Sequence, residues 1–231
     1  MLRFRSGLVL LVAVLCLCGG CPLGEVVTAG PARVRITTSL GEFLIELYED
    51  EAPLTAQNFL QYVDAGFYDG TIFHRVIPNF VVQGGGYLPG LEEKEVGAPI
   101  ANESGNGLKN LRGTIAMART DDPASATSQF FVNLVDNSDL DATATAAGYA
   151  VFGRVIEGME VVDLIAAVPT ETRGDFDDVP VTDVVLLTAR SEPGADVLTP
   201  AWQDYLENVD YGVLSALRNV LVEVLGRLIS G

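Results

Sequence analysis

The chain has few of the side chains that most enzymes use for chemistry. It contains a single histidine, His74, and three cysteines, all of which lie at or before position 21. A protein body that begins after Cys21 therefore has no disulfide and no thiol nucleophile, and one histidine cannot form a two-histidine zinc site or proton relay. The sequence predicts no metal and no cofactor.

Positive charge is also scarce. The chain has 14 lysines and arginines against 31 acidic residues, with a formal net charge of -17 and a pI of about 4.2. Nucleic-acid binding depends on lysine and arginine contacts with phosphates, so the composition argues against a nucleic-acid partner. The same charge disfavours electrostatic attraction to anionic lipid.

The first 21 residues have the pattern of a targeting segment. Arg3 and Arg5 precede an apolar run at residues 8–18, which is too short to span a bilayer. Two glycines then precede Cys21, and this arrangement resembles the bacterial lipoprotein cleavage box, in which the cysteine is lipidated. We expect residues 1–21 to be a lipoprotein signal peptide with Cys21 as the lipidation site; simple secretion and a retained N-terminal anchor are the alternatives.

The segment after Cys21 indicates a destination. Residues 22–31 are typical of a short tether, which would let a folded domain stand off a membrane. Residue 22 is proline and not aspartate, which in a Gram-negative cell favours the outer membrane. We therefore expect export and a lipid-anchored protein that faces the periplasm.

Residues 32–190 have the pattern of one folded domain. Helical signals run from Pro53 to Gly66 and over residues 159–168. Strand signals fall at residues 33–38, 42–48, 71–77, 80–83, 113–118, 128–134, 149–155 and 179–189. Short strands separated by turn signals favour a closed antiparallel barrel. The predicted fold is mainly β: a closed eight-stranded antiparallel barrel capped by two helices.

Residues 191–231 differ from this domain and predict a linker followed by a C-terminal amphipathic helix. Thr199 and Pro200 are typical of a helix start. Apolar residues then recur at steps of three and four: Leu214, Leu217, Leu221, Val224 and Leu228. The stripe could dock onto the barrel, associate with a second copy or lie on a membrane surface. Charged residues interrupt it, so it does not predict a transmembrane span.

The most unusual stretch of the chain is residues 73–86. It combines the only histidine with Arg75, a permanent cation within an apolar strand pattern, and a turn at Pro78-Asn79 between two strand signals. The guanidinium of Arg75 either reaches out to water or lies at the floor of a cleft.

Four segments of the chain resemble one protein family. Phe73-His74-Arg75-Val76-Ile77-Pro78, with Phe80 and Gln83-Gly84-Gly85, is similar to the signature of the cyclophilin family of peptidyl-prolyl cis-trans isomerases. Residues 113–118, 128–131 and 151–153 fit the same family in the same order, and residues 102–119 resemble its compact bacterial members. The resemblance covers residues 32–190 and implies the eight-stranded barrel with two helices that the strand pattern also predicts.

The chemistry of such an isomerase suits this composition. Rotation about a peptide bond must overcome a resonance barrier of ~18–20 kcal/mol, but no heavy-atom bond is made or broken. A donor aimed at the proline nitrogen helps as the nitrogen regains its lone pair, and a guanidinium suits that role. The resemblance implies that Arg75 is the catalytic arginine. It also implies that Gln83 bonds the substrate backbone and helps to orient Arg75.

The resemblance also implies the walls of a substrate cleft. Phe80, Val81 and Phe131 would line the proline pocket, with Leu140 at its rim. Ala118 and Gln129 would line the adjacent groove, and Tyr149 takes the place of a pocket-edge histidine of the family. His74 would be a supporting residue, because isomerisation needs no proton abstraction.

We therefore expect a prolyl isomerase that acts on X-Pro bonds and assists protein folding outside the cytoplasm. Its partners would be proline-containing peptides and unfolded exported proteins, with the membrane reached through the lipid anchor and self-association possible through the C-terminal helix. One alternative is a non-catalytic module that binds proline-containing segments. The other is a membrane-tethered interaction protein that works through residues 195–231.

Overall fold

The computed structural model describes residues 30–192, which include the whole of the predicted domain. The predicted signal peptide with Cys21, most of the tether and the C-terminal helix lie outside the described residues. Within residues 30–192, no helix is both long enough and apolar enough to cross a bilayer.

Two α-helices and twelve strands form this domain, and both predicted helices are confirmed. Helix α1 is Pro53–Asp64, helix α2 is Met159–Ala166, and a short 3-10 helix is Ser138–Leu140. The strands in chain order are β1 Arg33–Thr38, β2 Gly41–Leu47, β3 Arg75–Ile77, β4 Val81–Gly84, β5 Tyr87–Leu88, β6 Glu92–Glu93, β7 Thr114–Met117, β8 Phe130–Asn133, β9 Val151–Glu157, β10 Thr170–Arg173, β11 Phe176–Pro180 and β12 Leu186–Glu192.

Eight of these strands make one antiparallel sheet. Their order is β12-β1-β2-β9-β7-β8-β4-β3, while β5 pairs with β6 and β10 pairs with β11 in separate hairpins. Strand β1 illustrates how the sequence specifies this sheet: Val34 and Ile36 are buried, whereas the alternate side chains of Arg33 and Arg35 are only partly covered and pair with glutamates.

The prediction of a closed barrel is wrong, because the sheet is an open half-barrel. Its edge strands β3 and β12 share no ladder; an isolated bridge between Ile72 and Val185 joins the two edges, with backbone hydrogen bonds beside it. The predicted strand at residues 71–77 is regular only from Arg75 onwards, and residues 181–185 interrupt the predicted strand at 179–189. Both edges are therefore too short to pair along their length.

Two small hairpins were not predicted from the sequence. Strands β5 and β6 lie between the strands predicted at residues 80–83 and 113–118, and β10 with β11 lies between α2 and the last strand of the sheet. Gly174 and Asp175 form the turn of the second hairpin, and Gly174 has a φ of 63°, a conformation that glycine adopts without strain.

The core lies between one face of the sheet and the two helices. Phe59 of α1 packs against Phe130 and Phe152 with ring centroids 5.5 and 5.1 Å apart, and Ile165 of α2 is fully buried. Burial of each such side chain stabilises the fold by ~1.5–3 kcal/mol relative to exposure. The apolar faces of both helices therefore hold them against the sheet.

The first turn of α1 is capped by a residue from a distant loop. Ala52, which precedes the helix, has no side-chain oxygen, and instead the carboxylate of Glu103 accepts hydrogen bonds from the backbone N–H of Leu54 at 3.1 Å and of Thr55 at 2.8 Å. The hydroxyl of Thr55 donates to the same carboxylate at 2.7 Å. A negative charge is also favourable at this end of the helix dipole. Glu103 thus fastens the long loop before β7 to α1.

We expect Glu103→Ala to lower the free energy of unfolding by about 1–2 kcal/mol, because the first N–H groups of α1 lose their acceptor. Glu103→Gln keeps an acceptor without the charge and should give an intermediate loss. The matched control is Glu95→Ala, since Glu95 is exposed and has no hydrogen bond among residues 30–192. Chemical denaturation measures all three; equal values for Glu103→Ala and Glu95→Ala would contradict the capping role.

Candidate functional site

One row of directly paired residues crosses five strands on the face of the sheet that points away from the core. The members of this row are Arg75, Gln83, Phe131, Ala116 and Val151. Directly opposed residues of an antiparallel sheet project from the same face. The neighbouring row, Val76 with Val82 and Val132, belongs to the main core. Strand register therefore brings Arg75 and Gln83 beside an apolar surface outside the core.

That apolar surface is a second, smaller hydrophobic cluster, which we call the outer cluster. Val81, Phe131, Ala116 and Val151 are its buried members. The partly buried side chains packed against them are Tyr48, Phe80, Leu108, Ala118, Leu140 and Tyr149. All six apolar residues predicted for the substrate cleft are thus in one cluster: Phe80, Val81, Ala118, Phe131, Leu140 and Tyr149.

The polar residues of the predicted site share a cavity of about 420 Å³. His74, Arg75, Gln83 and Gln129 line it, together with Tyr87 and residues 175–178 of the β10–β11 hairpin. A larger groove of about 580 Å³ lies between α1 and residues 97–101 but contains no predicted site residue. The chemistry-bearing side chains therefore converge in the smaller cavity.

Arg75 differs from the other arginines between residues 30 and 192 in having no hydrogen-bond or ion-pair partner there. The other seven donate to a carboxylate or to backbone carbonyls: Arg33, Arg35, Arg112, Arg119, Arg154, Arg173 and Arg190. Arg75 is only half-buried, so water reaches its guanidinium. Its donors are available to a molecule that enters the cavity.

Gln83 lies opposite Arg75 across β3 and β4, but no hydrogen bond joins the two side chains. The amide Nε2 of Gln83 instead donates to Oε1 of Gln129 at 3.1 Å. This bond leaves the carbonyl oxygen of Gln83 as a free acceptor at the cavity wall, whereas the Gln129 side chain also interacts with His74 and Tyr87. A free carbonyl oxygen can accept a hydrogen bond from the N–H of a peptide backbone.

Hydrogen bonds from asparagine side chains hold the rim of the outer cluster. Asn137 donates from Nδ2 to the carbonyl of Phe80 at 3.0 Å and to Oδ1 of Asn133 at 2.7 Å. Leu140 follows in the 3-10 helix, and Asp141 accepts from the backbone N–H of Asn110 at 2.8 Å. The loop that carries Leu140 is therefore attached at one end to β8 and the turn before β4, and at the other end to the loop before β7.

Two aromatic side chains at this cavity were not identified from the sequence. Tyr87 packs edge-on against His74 with ring centroids 4.7 Å apart, and Phe176 packs against Tyr87 at 5.2 Å. The sequence does contain a feature that could have indicated the hairpin that carries Phe176. The Gly174-Asp175 pair between two extended segments is typical of a two-residue hairpin turn.

The positive charge of the site comes from Arg75 and not from His74. Burial, and then the nearby charge of Arg75, lower the pKa of His74 from 6.5 to about 4. His74 is therefore neutral at physiological pH and does not add a second positive charge to the cavity.

The lowered pKa of His74 predicts a dependence of stability on pH. The unfolded chain takes up a proton at His74 below about pH 6.5, and the folded protein does so only near pH 4. This contribution is complete above pH 6.5 and is lost as the pH falls towards 4, by up to about 1.4 kcal/mol per pH unit.

Urea unfolding of the wild type and of His74→Gln at pH 7, 6 and 5 measures this contribution. We expect the wild type to lose more free energy of unfolding over this range than the variant. Equal pH slopes for the two proteins would contradict a neutral, buried His74.

Comparison with known proteins gives a consistent result. A family model described as "Cyclophilin type peptidyl-prolyl cis-trans isomerase/CLD" matches residues 33–191. The crystal structure of a cyclophilin-type peptidyl-prolyl cis-trans isomerase from Cryptosporidium parvum superposes with a TM-score of 0.62 and 27% identity, over 70% of this chain and 98% of that one.

Two bacterial enzymes are more similar in sequence. The chain is 57% identical over 157 residues to a peptidyl-prolyl cis-trans isomerase of Acinetobacter baylyi, which covers 68% of this chain and 84% of the relative. It is 50% identical over 156 residues to peptidyl-prolyl cis-trans isomerase B of Escherichia coli, covering 66% and 95%. The chain therefore belongs to the cyclophilin-type peptidyl-prolyl cis-trans isomerases and is an enzyme of that family.

Proposed function

We propose that Arg75 is the catalytic residue and that the outer cluster receives the proline ring of the substrate. The observation that carries this proposal is the unpartnered guanidinium of Arg75, on the same row as Gln83 and Phe131. In an acidic protein whose other described arginines are all engaged, a free guanidinium beside an apolar surface is suited to a ligand.

The mechanism follows from the groups at the site. Phe80, Val81 and Phe131 hold the proline ring, because apolar contact with a buried aromatic surface needs no specific acceptor. Gln83 and Gln129 bond the flanking peptide groups and keep that part of the chain still. Ala118, Leu140 and Tyr149 complete the walls of the cleft.

Arg75 then lowers the barrier to rotation. As the X-Pro bond twists, the proline nitrogen loses its resonance with the carbonyl, becomes pyramidal and can accept a hydrogen bond. A guanidinium donor placed there stabilises the twisted amide more than the planar one, and this difference is what accelerates the reaction. No proton is transferred, so the neutral His74 remains a supporting residue.

We expect Arg75→Ala to lower kcat/KM for an X-Pro peptide about 100- to 1000-fold, as happens when one transition-state donor is removed. Arg75→Lys keeps the charge but loses the planar set of donors, so it should recover only part of the activity. An isomer-specific, protease-coupled assay measures both variants.

The matched control for this experiment is Arg154→Ala. Arg154 is an exposed arginine that pairs with Glu46 on a neighbouring strand and contacts no residue of the cavity. It should keep wild-type activity, and circular dichroism should show that all variants are folded. Equal activity of Arg75→Ala and Arg154→Ala would refute the catalytic role of Arg75.

Proline-containing peptides and unfolded exported proteins are the proposed substrates. A similar cyclophilin from Cryptosporidium parvum has been crystallised in the presence of the dipeptide Ala-Pro, which supports a proline-containing ligand for the outer cluster. The targeting pattern at residues 1–21 supports export, and lipid attachment at Cys21 would keep the enzyme at a membrane outside the cytoplasm. Self-association through the C-terminal helix stays a prediction from its apolar stripe.

Metabolic labelling with a fatty-acid analogue tests the anchor in a bacterial host. We expect the full-length chain to be labelled and recovered with membranes, and Cys21→Ser to be unlabelled. Cys18→Ser is the matched control, because it removes a neighbouring thiol and leaves the proposed lipidation site. Labelling that persists in Cys21→Ser would contradict this assignment.

A further inference from the structure

Arg119 follows Ala118 at the edge of the outer cluster, and most of its contacts go to residues 141–149, which we call the strap. Its guanidinium donates from Nη2 to the carbonyl of Ala147 at 2.9 Å and from Nε to that of Gly148 at 3.2 Å. The centre of the guanidinium also lies 4.5 Å from the centroid of the Tyr149 ring. The Arg119 side chain thus bonds the two backbone carbonyls before Tyr149 and covers the face of the Tyr149 ring.

Tyr149 in turn forms part of the cleft wall. Its ring meets Phe131 edge-on, with centroids 5.6 Å apart and an angle of 77° between the planes. Phe131 belongs to the row that contains Gln83 and Arg75. The guanidinium of Arg119, the ring of Tyr149 and the ring of Phe131 are therefore in successive contact, and the last of them lies at the proposed proline pocket.

Backbone contacts close the strap at its base. The backbone N–H of Tyr149 donates to the carbonyl of Leu140 at 2.9 Å, which joins the two ends of the loop at residues 141–148. At the same base, Gly148 packs so closely against the start of the loop that a Cβ there would lie 2.3 Å from the backbone nitrogen of Ala142. Within residues 30–192, the other side chains that bond Gly148 are Asn102 and Ser104.

Arg119 has no carboxylate partner in this part of the chain, and its remaining bond, from Nη1, goes to the carbonyl of Thr120 at 2.8 Å. Its charge is therefore not neutralised by an ion pair, which leaves it free to act on the electron-rich face of Tyr149. Such cation–π contacts are strongest where water is partly excluded, and Arg119 and Tyr149 are both half-buried.

We propose that Arg119 is a positioning residue of the isomerase: it holds Tyr149 against Phe131 and so fixes the wall of the proline pocket. This inference rests on the proposed role of the outer cluster in binding the proline ring. Because the wall contacts the ring equally in the planar and the twisted amide, Arg119 affects substrate binding and not the rotation step. The catalytic arginine and the positioning arginine therefore have separable kinetic effects.

The test is a double-mutant cycle on the full chain, with KM and kcat measured for an X-Pro peptide. We expect Arg119→Ala to raise KM about 5- to 10-fold and to change kcat less than about 2-fold. Arg119→Lys, which keeps the charge over the ring but not the fork of donors, should lie between Arg119→Ala and the wild type. In a Tyr149→Ala background, Arg119→Ala should have almost no further effect on KM, because the residue through which it acts is missing.

Two controls separate this result from a general loss of structure and from failure of the proposed function. The guanidinium of Arg190 also bonds a backbone carbonyl, that of Ala189, and pairs with Asp69, but Arg190 does not line the cleft. Arg190→Ala should therefore leave KM unchanged. Arg75→Ala tests the proposed function separately, because its kcat should be lowered whether or not the inference about Arg119 holds.

Three outcomes would overturn the proposal: an unchanged KM in Arg119→Ala, a loss confined to kcat, or effects of Arg119→Ala and Tyr149→Ala that multiply fully in the double variant. If Arg119→Ala proves too unstable to assay, Arg119→Lys against the wild type gives the same comparison, and an unchanged KM there would equally count against it.

Discussion

Both the core and the cleft depend on the strand register of the antiparallel sheet, because the register decides which side chains project from each face. Val82 and Gln83 are neighbours in sequence, yet one packs in the core and the other lines the cavity. Because side chains alternate along a strand, a slip of one residue in β4 would bury an amide and expose a valine. The burial of the valine row against the helices therefore also places the functional row on the outer face.

Arg75 supplies the available positive charge at the site, because the other arginines of the described domain are bonded elsewhere. Burial keeps His74 neutral, and the other described arginines form ion pairs or bond to carbonyls, so Arg75 supplies the unpaired guanidinium of a cavity that Asp175, Asp177 and Asp178 also line. Isomerisation of an X-Pro bond requires one well-placed donor and an apolar seat, and no proton acceptor. A chain with one histidine and no cysteine in its folded domain can therefore catalyse it.

The irregular segments around the sheet are held by polar side chains that reach backbone groups far away in sequence. Glu103 caps α1, Asn137 bonds the carbonyl of Phe80, and Arg119 grips the strap that carries Tyr149. The carboxylate of Glu103 satisfies the first N–H groups of α1, which have no partner within the helix. The side chains of Asn137 and Arg119 attach the rims of the cleft to segments next to β4 and β7.

The sequence by itself determined the strands and helices whose apolar periodicity is clear, the absence of cysteine chemistry in the folded domain and the motif around Arg75 that indicates the family. Tertiary structure decided the rest. The alternation in residues 71–77 and 179–189 did not reveal where pairing stops, because edge pairing depends on the neighbouring strand and not on local pattern, so the closed barrel was predicted in error. Likewise, no local signal shows that Arg119 stacks on a tyrosine 30 positions away, or that Arg75 lacks a partner, because both depend on contacts that form only when distant segments fold together.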